Sequence, residues 1–191
     1  MATDQTDIQF TIRRKLLTLF GAKFHIYDAT GKLIGFCKQK AFKLKEDIRL
    51  YADETMSEER LAINARSMID ISAAYDVVDS QSQEKLGALQ RKGLKSLFRD
   101  EWVLLDENDQ EIGIIKEDSM VAALIRRYLA NIIPQKFHLR DSDGHEMAEF
   151  HTHFNPFVHR ITVTIFSDTT INPYLILAGG VLLVAIEGRQ K

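Results

Sequence analysis

Four stretches of this chain repeat one pattern, and that pattern restricts the fold more than any other feature. They are FHIYDATGKLIGFCKQK from Phe24, YDVVDSQSQEKLGALQRK from Tyr75, WVLLDENDQEIGIIKED from Trp102 and FHLRDSDGHEMAEFHTH from Phe137. Each opens with alternating apolar residues, reaches an Asp, crosses a polar turn, and returns through a strand that holds a small residue. The spacing from Asp to small residue is seven in Asp28–Gly35, Asp106–Gly113 and Asp141–Ala148, and eight in Asp79–Gly87. This is β-hairpin chemistry. The Asp side chain bonds its own turn backbone, and period-two alternation buries one face. A small residue in the returning strand suits a bend or close backbone approach, as at barrel corners. The repeated Asp residues are therefore read as turn formers rather than catalytic acids.

Further strands are expected at FTIRRKLLTL, DIRLYAD, RLAINAR and HRITVTIFSD, which brings the total to twelve. One stretch, DSMVAALIRRYLANII, has a helical period, with Asp118 or Ser119 as N-cap and Pro134 as its stop. No linker or low-complexity segment interrupts the chain. Residues 1–191 are expected to form one domain, with a core over about 10–188.

The second constraint is NPYLILAGGVLLVAIEGRQK, whose residues Tyr174 to Ile186 are thirteen apolar positions in a row. A membrane-spanning helix needs about 20 apolar residues, whereas thirteen helical residues reach only ~20 Å. The run has no charged face, which argues against lying in a membrane interface. A helix apolar on all sides and too short to span belongs in a protein core. Twelve strands closed into a barrel leave room for a helix of ~10 Å diameter. The expected fold is a closed, antiparallel, twelve-stranded β-barrel around a buried C-terminal helix at about residues 172–187, with Ala178, Gly179 and Gly180 admitting close neighbours. A lone membrane anchor is the competing reading of the run.

Order of elements and motifs together resemble the tubby C-terminal-like superfamily, and within it the LURP-one-related and phospholipid scramblase-like proteins. The residues that carry the resemblance are FTIRRKLLTL leading into FHIYDATGKLIGFCKQK, then YDVVDS, KLGALQRKGLKSLFRDEWVLLDE, IGIIKED, and INPYLILAGGVLLVAIEG. It covers about Phe10 to Gly188. The resemblance implies a barrel around a hydrophobic helix, and it brings in phosphoinositide-binding tubby proteins and scramblases as relatives. Scramblase-like sequences place several acidic residues beside the terminal helix, proposed to hold calcium. Here SDTTINPY offers only Asp168, short of the six or more oxygens calcium takes. The cysteine-rich palmitoylation segment is also missing.

Charge is split along the chain. Residues 1–99 carry 17 Lys and Arg against 13 Asp and Glu, while residues 100–191 carry 8 against 14. The net charge of −2 gives no bulk attraction for nucleic acid. Two basic stretches are candidates for an anionic lipid surface. KQKAFKLK holds Lys38, Lys40, Lys43 and Lys45; QRKGLKSLFR holds Arg91, Lys92, Lys95 and Arg99. Edge-strand lysines that block aggregation are the competing explanation. His151 and His153 share a strand face, with Glu149, His145 and His159 near in sequence, so they are weak candidates for a metal site. No cofactor is expected.

Nucleophilic catalysis has no support: there is no G-x-S-x-G, and Cys37 lacks a His partner in sequence. Phosphate-cradling glycine motifs are absent too. A single cysteine gives no disulfide framework. The opening MATDQTDIQF has neither a basic start nor an apolar core, so a cytoplasmic protein is expected, with a peripheral membrane location as the further option. The expected function is non-enzymatic binding of anionic phospholipid or phosphoinositide. A protein-interaction scaffold is the alternative, and a scramblase-like activity or a metal enzyme built on His151 and His153 is the remaining one.

Overall fold

The computed structural model describes residues 6–15, 22–39, 47–67, 74–92, 101–118, 134–153 and 158–187. The strands are β1 (Ile8–Lys15), β2 (Ala22–Asp28), β3 (Leu33–Gln39), β4 (Asp47–Tyr51), β5 (Glu59–Ala65) and β6 (Ala74–Asp79). They continue as β7 (Lys85–Arg91), β8 (Glu101–Leu105), β9 (Glu111–Glu117), β10 (Lys136–Arg140), β11 (Glu146–His153) and β12 (Val158–Ile165), followed by helix α1 (Pro173–Glu187). Each strand pairs antiparallel with its neighbours in sequence, and β1 pairs with β12, so the sheet closes on itself. The expected helix over Asp118–Ile133 lies almost wholly outside the described residues, as do the last four residues of FTIRRKLLTL.

All four Asp turns form as the sequence requires. Asp28, Asp79, Asp106 and Asp141 each accept backbone N–H bonds on Oδ1, at 2.8–3.0 Å, from residues two to four further on. Thr30, through its hydroxyl, is the main cause holding the Asp28 carboxyl below the usual carboxylate range. Two residues past each turn's closing bond the ladder shifts register, leaving Ile34, Leu86, Ile112 and Met147 as bulged residues immediately before the small one. A bulge adds one residue to one strand and increases its twist, which is how a sheet bends into a wall. A fifth hairpin, β4–β5, has the same shift opposite Leu50 and Tyr51. There Ala52 takes the position of the turn Asp, Asp53 caps Thr55 instead (2.8 Å), and Leu61 replaces the small residue.

These turns all lie at one rim of the barrel, where the even-numbered strands end. Helix α1 starts at that rim, with Asn172 Oδ1 accepting the Tyr174 N–H at 2.9 Å as N-cap. The helix then runs down the bore toward the far rim. Leu175, Ile176, Ala178, Val181, Leu182, Leu183, Val184 and Ala185 are each at most 1% exposed. Around them stand inward residues of the wall, among them Ile12, Phe24, Ile63, Leu89, Leu104, Ile115, Phe150 and Val163. Gly179 and Gly180 admit a close approach of the wall: a Cβ on Gly180 would sit 2.9 Å from Ile12 Cδ1. The apolar run fills the protein, and among the described residues no helix is long and apolar enough to cross a membrane.

The far end of the helix is closed by a charge inside the bore. Arg14 lies in the inward register of β1 with Phe10 and Ile12, and Nη1 donates to Val184 O (3.0 Å) and Ala185 O (3.3 Å). Its guanidinium also lies 5.7 Å from the centre of the Phe24 ring. The last carbonyls of a helix have no partner within it and carry its negative dipole end, so a cation placed there serves both needs. Arg14→Met keeps the apolar stem but removes the donors. It is expected to lower stability by about 2 kcal/mol, as for hydrogen bonds made by charged groups, read as a lower urea midpoint with an unchanged slope.

Candidate functional site

The outer face of the barrel is where charge gathers. Outward positions alternate with core positions along every strand, and cross-strand pairing fixes which of them meet. Arg13 of β1 stands directly opposite Arg160 of β12. One strand further round, Lys23 of β2 stands opposite Lys38 of β3. Arg13, Lys23 and Lys38 are exposed and Arg160 is half-buried. Among the described residues none of the four has a carboxylate partner. Like charges directly opposite one another on a sheet destabilise it, so two such pairs on four consecutive strands are a cost to the fold.

Aromatic rings lie within this face. The Arg13 guanidinium sits 4.5 Å from the centre of the Tyr27 ring, a cation–π contact. Phe36 also points outward yet is only 3% exposed, covered by the His25 ring at 5.2 Å. Within the face His25 Nε2 meets Glu54 Oε1 at 2.8 Å, and at its edge Arg49 of β4 is held by Asp47 (2.5 Å) and Glu59 (2.9 Å).

The basic residues singled out in the sequence divide accordingly. Lys38 belongs to this face. Lys40, Lys43 and Lys45, which follow it in the chain, lie outside the described residues, as do Lys95 and Arg99. Arg91 and Lys92 stand at the end of β7, three intervening strands from β3 in the wall, so they do not share a face with Lys38. Lys92 is already paired with Glu101 at 2.8 Å, which raises its pKa. Arg13, Lys23 and Arg160 were not singled out by sequence, because they come from three strands that meet only when the barrel closes.

The histidines do not assemble a centre of their own. His151 and His153 do share the outer face of β11, with ring centres 4.7 Å apart, and His153 Nε2 meets Thr162 Oγ1 at 2.8 Å. Partial burial first, then Arg160 and His151, holds the His153 pKa below its usual value. His145 sits exposed in a turn against Asp141 (3.2 Å), and His159 lies in the inward register opposite Arg14. Among the described residues, no third metal-ligating side chain joins His151 and His153, and none gathers round Asp168. The Cys37 side chain is fully buried, and burial pushes its thiol far above the usual range, leaving no nucleophile there.

A cleft of about 380 Å³ opens at the turn rim, floored by Leu86, Ile112, Ile171 and Leu175. Among its described lining residues the cation is Lys85, which is drawn to Asp109 at 2.7 Å within a network that includes Arg66 and Asp76. That charge is spoken for.

A family model described as LURP-one-related covers residues 33–183, from the start of β3 through most of α1, about four-fifths of the chain. No curated protein matches the sequence. The matched segment contains three of the four Asp-turn hairpins, those of β6–β7, β8–β9 and β10–β11, and most of the helix that fills the bore, and the chain belongs to the LURP-one-related family, a relative of the tubby-like superfamily.

Proposed function

We propose that the protein is a non-catalytic binding module that docks peripherally on anionic phospholipid through the outer face of β12, β1, β2 and β3. The observation that carries this reading is the unneutralised opposition of Arg13 to Arg160 and of Lys23 to Lys38. A layer of phosphate headgroups would relieve both repulsions at once. Each cation brought to an anionic leaflet contributes about 1 kcal/mol, so four give ~4 kcal/mol, screened by salt. Tyr27 and His25 between them suit the polar boundary of a bilayer. The helix stays in the bore and takes no part. The family resemblance to phosphoinositide-binding tubby proteins points the same way, with a phosphoinositide as one form of the anionic headgroup.

Flotation with vesicles of phosphatidylcholine alone, or mixed with phosphatidylserine, tests this at low and high salt. Binding is expected only to the mixed vesicles, and is expected to fall away at high salt. Lys23→Ala with Lys38→Ala removes about 2 kcal/mol of attraction, close to thirtyfold in affinity. The same variant is expected to melt slightly above wild type, because a cross-strand repulsion has gone. Unchanged vesicle binding by the double variant sinks this face as the site. No binding to any vesicle by folded wild-type protein turns the reading to a scaffold whose partner is an acidic protein surface.

A further inference from the structure

A separate constellation lies on β9–β11, outside the cationic face. His138 of β10 points outward, opposite Glu149 of β11 on one side and Lys116 of β9 on the other. The register shift after Leu139 pairs Arg140 with Glu146, although Ala148, two residues on, faces the core. The bulge therefore turns Glu146 out to the same face as His138 and Glu149. One ligand atom from each of the three lies within 4.8 Å of the others.

The imidazole is held in a telling way. Its Nε2 meets Asp118 Oδ2 at 2.8 Å, and its Nδ1 is turned to Glu146 Oε1. A ring that donates its Nε2–H to Asp118 presents a bare lone pair at Nδ1, facing a carboxylate oxygen that is also an acceptor. A lone pair and carboxylate oxygens gathered on one face offer a cation several ligand atoms at once. The ring itself is only 11% exposed. A histidine whose second nitrogen is anchored by a carboxylate is also the usual arrangement of a metal-bound imidazole, and it keeps the ligating nitrogen deprotonated.

We propose that His138, Glu146 and Glu149 form a binding site for a divalent transition metal, with zinc the best match. One nitrogen and two carboxylate oxygens suit zinc, whereas calcium and magnesium prefer oxygens alone. Asp118 acts as a positioning residue. Water completes the coordination from the solvent side, where Glu146 and Glu149 are 36% and 28% exposed. Lys136 Nζ, now 3.3 Å from Glu149 Oε1, swings away as the metal enters; its side chain is 48% exposed and free to do so. A bound ion would clamp the β10–β11 hairpin across its bulge.

The test is titration of full-length protein, stripped with chelator, with zinc chloride, followed by calorimetry and by melting temperature. Wild type is expected to bind one equivalent and to melt higher as zinc rises, since a ligand of the native state alone stabilises it. His138→Asn and Glu146→Gln are expected to lose both effects, and Asp118→Asn to weaken binding 10- to 100-fold. Replacing His151 and His153 together by Ala is expected to change neither. Absence of stoichiometric binding by folded wild type overturns the site, as does zinc binding that survives in Glu146→Gln or depends instead on His151 and His153. Should His138→Asn fail to fold, the wild-type and Glu146→Gln titrations still decide.

Discussion

Removing residues 171–191 is expected to leave no folded protein. The helix contributes Leu175, Ile176, Val181, Leu182, Leu183, Val184 and Ile186 to the core, all at most 8% exposed. Fully burying one such side chain is worth about 1.5–3 kcal/mol, so seven of them exceed 10 kcal/mol, as much as the whole stability of an ordinary domain. The loss is also felt by the wall. Its inward residues would line an empty bore, and no rearrangement of a closed twelve-strand sheet fills a space the width of a helix. Expression of residues 1–170 is expected to give insoluble chain, or soluble chain with no cooperative thermal transition. A truncated protein that melts as sharply as wild type, at the same temperature, would contradict the account of the core.

The second large effect is expected at a single methyl group. Gly87 follows the bulged Leu86 with φ +148°, and a Cβ there would lie 2.3 Å from the Leu105 carbonyl oxygen and 3.0 Å from Leu175 Cδ2. The first of those neighbours is backbone in the adjacent strand and cannot rotate aside. Gly87→Ala combines a strained backbone with an overpacked contact, each costing 1–3 kcal/mol, for about 4 kcal/mol in total. Gly35 holds the equivalent place in the β2–β3 hairpin, but a Cβ there meets side-chain atoms and no backbone, with the flexible ends Leu50 Cδ1 at 3.1 Å and Ile26 Cδ1 at 3.2 Å nearest and Ile26 Cβ at 3.5 Å. Gly35→Ala is expected to cost about 1 kcal/mol, the low end of overpacking, and Ala148 shows that the β10–β11 hairpin tolerates the methyl. Urea unfolding of the two variants side by side checks the contrast; equal midpoints would mean that the bulge does not set the approach of the strands.

What was legible in the sequence was what is local. Turn chemistry announces itself within a few residues, so four hairpins could be read from Asp and Gly spacing. A helix can be sorted into core or membrane from its length and its lack of a polar face. The β4–β5 hairpin escaped because Ala52 and Leu61 occupy the two diagnostic positions. Arg14 escaped for a different reason: two adjacent arginines in a strand look alike, yet alternation sends Arg13 to solvent and Arg14 to the helix end.

The candidate sites were less legible still, because closure creates them. Arg13 and Arg160 lie at opposite ends of the chain and meet only where β1 joins β12. His151 and His153 could be placed on one face from their spacing, but spacing cannot show that a third ligand fails to arrive. Nor could it show that His138, an unremarked residue of FHLRD, would gather Asp118, Glu146 and Glu149.

The order of elements along the chain carries a consequence for biosynthesis. Helix α1 comes after all twelve strands, and the seam between β1 and β12 needs the last strand as well. On the ribosome the wall therefore emerges long before the filling. For most of its synthesis the chain exposes a sheet with two open edges and an apolar concave face, the state most prone to capture by other chains. Folding must wait on translation of the final turn of helix. Slow emergence of the helix is accordingly a hazard for this protein in a way that it is not for one whose core is laid down first, and a chaperone that shields half-made sheets should matter more to its yield than one that acts on finished chains.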